Sequence, residues 1–464
     1  MKIDKTKIPQ TTRFIIDNYL RPINPRAPYD SFVLPVLFQI SKMLCHNRVI
    51  ISNEELQLNN AYPNVYCISF GKSGSGKDKG TRSMNKIMGF FKEDTETMYQ
   101  KYADNCKNEI DREIEKQKLS KGKASEYRQE HSPMWLKPNI DSTSTFEGYM
   151  EQRKAFEKAG FGCTWWADSE IYDTIKSLST SAVLFKKANK ENFDHGDNQD
   201  KTIKGNKRPS DVKGVPNLIF LQGAIDNDEQ TNVFKNFFDL GYSRRSLVYV
   251  NKGRKEFIPI GREEKREGLK KANRYQGECE KFMKDIYSRS KMQTQYNNGG
   301  NKVFILSEDA VDLYLDYDEG NQEKAHGLSN INNIGIAVEV EGRAWKMVKI
   351  AACIAIQEST KFVITKEHIE SAIYLIDYYG KYFADFYLME NVTIYEKIIE
   401  YIRSHPKCTK TDIRKQKFMP SSKYEQTSAL KESLEENGLF DILNITISSS
   451  IELSLIIEIL LNAI

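Results

Sequence analysis

Long apolar runs are missing from this sequence of 464 residues. Its most apolar late stretch, Leu453–Ile464, is short and broken by Glu458. A bilayer-crossing helix needs about 20 apolar residues, so no membrane partner is expected. The charged start, Met1 to Lys7, leads into no apolar run, which predicts no secretory signal. Cysteine is sparse: seven residues, an odd number, scattered from Cys45 to Cys408 without a CxxC spacing. That pattern argues against a disulfide framework or a zinc site and predicts reduced thiols in a cytoplasmic setting. With 26 Gly and 13 Pro, the chain is neither collagenous nor linker-dominated. An excess of one charge is also absent, since 68 Lys and Arg stand against 64 Asp and Glu, net +4. No repeat of solenoid period occurs. What remains, at 39% hydrophobic and 28% charged, is a folded protein with a length suited to about three domains.

Residues 8–57 read as helical, because the apolar positions from Phe32 to Leu44 fill one broad face. A β-type run, Val65 to Phe70, follows and passes into a glycine-rich loop, then a helix-like segment over 77–92. Residues 97–130 are strongly charged with nearly balanced signs, which predicts an exposed helical insertion. Ser144 and Glu147 have capping-box spacing for a helix reaching about residue 159. Gly162–Asp168 reads as a buried strand with an acidic tip, 215–222 as another strand, and 246–250 as a further one. Residues 186–213 are polar and read as a long loop, whereas 303–388 are helical in pattern. Helices over 394–403, 409–417 and 424–437, stopped by Gly438, suggest a winged-helix or helix-turn-helix module. The expected organisation is an N-terminal helical segment (1–60), an α/β core (61–300), a helical lid region (301–390) and the module (391–464).

The sharpest motif is Gly71-Lys72-Ser73-Gly74-Ser75-Gly76-Lys77, which matches the first seven positions of the phosphate loop GxxxxGK[ST]. Glycines let successive backbone N–H groups converge on phosphate oxygens without Cβ clashes. The following helix N-terminus adds partial positive charge, and Lys77 is placed to reach the β- and γ-phosphates. Asp78 stands where Ser or Thr usually binds Mg²⁺; a carboxylate is also a hard oxygen ligand, though it brings negative charge near the triphosphate. The plainer reading is a Gly/Ser turn that contains lysine.

Such a site also needs an acid at the tip of a neighbouring strand. Trp165-Trp-Ala-Asp168-Ser169-Glu170 supplies two, with Asp168 as metal-side acid and Glu170 as water-activating base, or the reverse. Alternatively, Asp168 or Ser169 caps a helix opening at Ile171. Gln222, at the end of its strand, is a candidate polar sensor or a solvated side chain. Either Arg244 or Arg245 is a candidate arginine finger, acting in cis or from a neighbouring subunit, or part of a basic surface turn. Arg343 opens a helix and is a candidate lid-borne phosphate sensor or a routine surface arginine.

The order of these pieces suggests a family. The glycine loop is followed by Asp141-Ser-Thr-Ser-Thr-Phe-Glu147-Gly148, the Trp-rich acidic strand, Phe193-Asp194-His-Gly196, a Leu/Gln-Gly strand and Gly241-Tyr-Ser-Arg-Arg. Over roughly residues 30–385 the chain resembles the P-loop ATPases of phages, plasmids and integrated elements, replicative-helicase-like proteins of the broad RecA/AAA+ class, often paired with a primase. The resemblance implies an ATP- and Mg²⁺-dependent motor on DNA, assembled as a homo-oligomeric ring with nucleotide between subunits. Lys77, Asp168 or Glu170, and Arg244 or Arg245 occupy the matching positions.

Charge distribution adds to this expectation. Residues 186–213 hold eight Lys and Arg against five acids, and 252–274 hold nine against four. Two such stretches suit a single-stranded DNA backbone, with Phe185 or Phe193 stacking on bases; solvated loops are the plainer account. Lys410, Arg414, Lys415 and Lys417 would lie on the second helix of the module. The expectation is therefore a helicase-like ATPase in phage or mobile-element replication. Its rivals are a packaging or loader ATPase, or a DNA-binding accessory protein with a degenerate nucleotide site.

Overall fold

Eight strands and fifteen α-helices emerge from the described residues of a computed structural model: 2–71, 78–132, 139, 146–195, 214–251, 260–292, 302–330 and 333–388. The chain divides into two units, Met1–Phe386 and Tyr387–Ile464. Nearly all of the second, including the expected module at 391–464, lies outside the described residues.

Short helices α1 (Gln10–Ile15) and α2 (Arg21–Ile23) lead to α3 (Val33–His46). Strands β1 (Val49–Asn53) and β2 (Leu58–Ala61) follow, then β3 (Tyr66–Gly71), α4 (Asp78–Ile87), α5 (Gly89–Lys116), α6 (Lys121–His131) and α7 (Phe146–Lys158). Next come β4 (Thr164–Asp168), α8 (Tyr172–Lys176), α9 (Thr180–His195), β5 (Asn217–Ala224), α10 (Asp228–Phe237) and β6 (Ser246–Asn251). The remainder is α11 (Arg262–Lys291), β7 (Lys302–Leu306), α12 (Glu308–Asn330), α13 (Ile334–Glu341), α14 (Arg343–Glu358), β8 (Val363–Ile364) and α15 (Lys366–Tyr387).

The main sheet has the order β4-β5-β3-β6 with every pairing parallel. All residues of β3 and β5 are buried, as expected for parallel strands covered on both faces. The second sheet, β2-β1-β7-β8, joins the N-terminal segment to the 301–390 region. Here the structure corrects two expectations. Residues 49–53 and 58–61 are strands, not helix: Val49-Ile-Ile is β-branched and pairs with β7. The supposed lid region is not purely helical, because it supplies β7 and β8.

Helix α3 is buried along its whole length and touches strands of both sheets. Its C-terminus meets the start of β4 at Gly162, where a Cβ would come within 2.2 Å of the Cys45 carbonyl oxygen. Residues 186–195, read as loop, continue α9; Phe185, Ala188, Asn189, Asn192 and Phe193 form its buried face. The charged insertion is helical as expected, with α5 and α6 bridged by Arg128 and Asp111 at 3.0 Å.

Candidate functional site

Strand register brings the sequence motifs to one edge of the main sheet. Gly71, the last residue of β3, is level with Ala224 of β5 and Asn251 of β6. The chain leaves β3 for β4, two strands away on one side, and β6 lies on the other side. The carboxyl end of β3 is thus a point where strand order reverses, the usual place for a ligand crevice in a parallel sheet. Residues 72–77, with Lys72, Ser73, Gly74, Ser75, Gly76 and Lys77, lie outside the described residues, as does the side chain of Asp78. Asp78 does open α4, so a helix N-terminus follows the loop.

The acidic tip ends β4. Asp168 is level with Leu221, and its Oδ1 accepts the Glu170 N–H at 3.0 Å. That bond makes a local turn; α8 starts after Ile171 with no side-chain cap, so Asp168 and Ser169 do not cap it. Asp168 is half-buried and Glu170 exposed. The Ile171 N–H donates to the Gln222 carbonyl oxygen at 3.4 Å, holding the tip against β5. Gln222 itself is buried and level with Ser69. Asp168, Ser169 and Gln222 line one cavity of about 1040 Å³ together with Thr81 and Arg82 of α4. The fold therefore gathers Gly71, the start of α4, Asp168 and Gln222, with Glu170 beside them. Among the described residues no cluster of three His, Cys, Asp or Glu suits a metal.

The arginines lie at the other edge. Arg244 and Arg245 immediately precede Ser246, which is level with Tyr66, the first residue of β3. At about 3.3 Å per residue, Ser246 stands roughly 16 Å along the strands from the level of Gly71, and the arginines precede it. Arg244 is exposed, 3.9 Å from Glu341; Arg245 is half-buried and donates to the Gly241 carbonyl oxygen at 3.0 Å. Gly241 has φ +94°, a left-handed conformation that makes glycine the natural residue there.

Arg343 does not line the cavity of Asp168 and Gln222, nor is it a surface arginine. Its guanidinium is buried and held by Glu339 and Asp377, each at 2.8 Å. Lys346 adds a 2.7 Å bond to Glu339 and donates to the Ser243 and Ser246 carbonyl oxygens. Burial pushes the Glu339 carboxyl up, but Lys346 and Arg343 outweigh it and hold the group below its ordinary range.

Two further expectations need correction. Phe185 and Phe193 do not present faces for bases: Phe185 packs edge-on against Trp166, and Phe193 against Tyr66. Lys186, counted among the basic loop residues, is buried and donates to the Ile175 and Ser177 carbonyl oxygens. By contrast Arg262, Lys265, Arg266, Lys270, Lys271 and Arg274 are all exposed along α11.

Sequence reasoning missed Lys42 and Gln39, which line the same cavity as Asp168. The signal was there: a lysine and an amide one turn apart in an otherwise apolar helix. No protein-family model matches the chain, and no curated protein matches it either.

Proposed function

We propose that this chain is an ATP-hydrolysing, helicase-like motor acting on DNA in phage or mobile-element replication. The observation that carries the reading is the placement of Gly71. The glycine loop leaves the central strand where strand order reverses, with the acidic tip two strands away and Gln222 on the strand between.

Lys77 and the loop amides would hold the phosphates of ATP. Asp168 fits a hydrated Mg²⁺, being a half-buried carboxylate with no cationic partner among the described residues. Bound Mg²⁺ would neutralise charge on the β- and γ-phosphates. Glu170, exposed beside Asp168, is the group to take a proton from the attacking water, and Gln222 to orient that water. Since Arg244 and Arg245 lie at the far edge of the sheet, an arginine finger must come from a neighbouring subunit, and the exposed Arg244 is the better candidate. That requirement favours a homo-oligomer. The exposed lysines and arginines of α11, though interspersed with Glu263, Glu264 and Glu267, are available to a phosphate backbone.

The test is ATP turnover with and without single-stranded DNA, for wild type and Lys77→Ala. Wild type is expected to turn over ATP faster with DNA, and Lys77→Ala to fall to background. Equal rates for the two proteins would overturn the motor. Nucleotide binding without turnover would favour the accessory protein, a reading that Asp78 supports; duplex unwinding separates a helicase from a loader.

A further inference from the structure

Four lysines are buried among the described residues: Lys42, Lys186, Lys346 and Lys349. Three have oxygen partners. Lys186 has two carbonyl oxygens, and Lys346 has Glu339. Lys349 donates to the Tyr62 carbonyl oxygen at 2.9 Å, and to Asn64 Oδ1 and the Phe193 carbonyl oxygen at 2.6 Å each. Lys42 differs. It is 7% exposed, and only rings surround its Nζ: Trp165 at 4.7 Å, Phe91 at 4.9 Å and Phe38 at 5.9 Å. No hydrogen bond or ion pair reaches that amine from the described residues. Burial drags its pKa down to about 8, and no carboxylate offsets the loss.

The amine borders the 1040 Å³ cavity enclosed by α3, α4, α5 and β4. Two more unpaired groups belong to residues of the same wall. Gln39, 2% exposed, donates through Nε2 to Asn85 Oδ1 at 3.2 Å, but its Oε1 has no partner. Thr81 Oγ1 also has none. Leaving a buried polar group unpaired costs about 1–3 kcal/mol, more for a charged one. Two such atoms, beside a lysine amine with no oxygen partner among the described residues, are readily understood if something else completes them. Six rings belong to residues of the wall; Phe38, Phe91, Phe161 and Phe220 are buried, and Trp165 and Tyr99 are partly exposed and offer flat apolar surface. The volume is at the upper end for a small-molecule site.

We propose that this cavity binds a small organic anion with a flat apolar body, its anionic group paired with Lys42 and its ring system lying against Trp165. The aromatic box alone satisfies part of the ammonium charge; the anion satisfies the rest. Lys42 and Gln39 belong to α3 and not to the glycine loop, but Arg82, Asp168 and Gln222 of the proposed nucleotide site line the same cavity.

The test uses 1-anilinonaphthalene-8-sulfonate, a flat anion without phosphate, on the full-length chain. Wild type is expected to bind about one probe per chain, and Lys42→Met, which keeps volume and apolar character, to bind at least tenfold more weakly. Lys77→Ala is expected to bind as wild type does. A second measurement needs no cavity variant. With limiting acetic anhydride on wild type, bound probe should protect Lys42 from acetylation and leave Lys92, on the exposed rim, unprotected. Unchanged binding in Lys42→Met, or acetylation of Lys42 indifferent to the probe, would overturn the proposal. Loss of binding in Lys77→Ala would also overturn it, by putting the probe in the glycine loop.

Discussion

The two ends of the main sheet treat polar groups in opposite ways. At the amino end a connected network matches the buried charges, although Ser246 Oγ has no partner among the described residues. Thr164 Oγ1 donates to Asn217 Oδ1 at 2.9 Å, and Asn64 Nδ2 donates to the Asn217 carbonyl oxygen at 3.0 Å. Lys349 binds Asn64, and Glu339 holds both Arg343 and Lys346. At the carboxyl end Asp168 has a single local bond from its own turn, and the adjoining cavity wall carries the unpartnered Gln39 Oε1 and Thr81 Oγ1 and the Lys42 amine, which has no oxygen partner among the described residues. Internally matched charges have no capacity left for a ligand, so the amino end reads as architecture and the carboxyl end as a place for binding. The same contrast explains why Arg343, so placed, is unsuited to sensing phosphate.

Three measurements sharpen or break that contrast. The largest effect belongs to Glu339→Gln. Removing the shared acid leaves two buried cations under-compensated, and the loss should be about 3–5 kcal/mol in denaturant unfolding. A midpoint like wild type's would show that the amino-end network is not what holds that region.

Next is a pH effect at His46, beside the start of β4. Its ring is buried against Phe91 and Phe161, with Nε2 3.9 Å from Asp94. Burial lowers its pKa from 6.5 to about 4, although Asp94 pulls the other way. The unfolded chain therefore takes up the proton first. This contribution is complete above pH 6.5 and is lost as pH falls toward 4, a total of about 3 kcal/mol. Urea midpoints at pH 7.5 and 4.5 should drop further for wild type than for His46→Leu. Equal drops would mean that the ring is solvated.

The smallest stability change is expected at the carboxyl end. Asp168→Asn should alter unfolding free energy by less than about 0.5 kcal/mol, while proposed ATP turnover falls by about 10²-fold or more. A large loss of stability at Asp168 would erase the distinction between the two ends.

The four strands of the main sheet were legible because parallel strands buried on both faces are short apolar runs with clear punctuation. The second sheet was not. Val49-Ile-Ile sits directly after a long apolar helix, and only pairing with Val303 and Phe304, far along the chain, makes it a strand. Helix α9 was hidden by polarity: its buried face includes Asn189 and Asn192, which hydrogen bonds satisfy internally. The glycine loop, the acidic tip and the 215–222 strand were all visible, but not that this strand lies between the other two. Lys42 looked like one more lysine among many.

Local pattern determined the kinds of elements here and the residues at their ends: a glycine loop after one strand, acids after another, arginines before a third. Those are short-range matters, set by backbone sterics and the spacing of apolar side chains. Strand order was decided only when distant segments paired, and with it came the partner of every charge. That is why Arg343 is consumed by its neighbours, why Arg244 stands at the amino end of its own chain's sheet, and why Lys42 alone among the described buried lysines has no oxygen to hold.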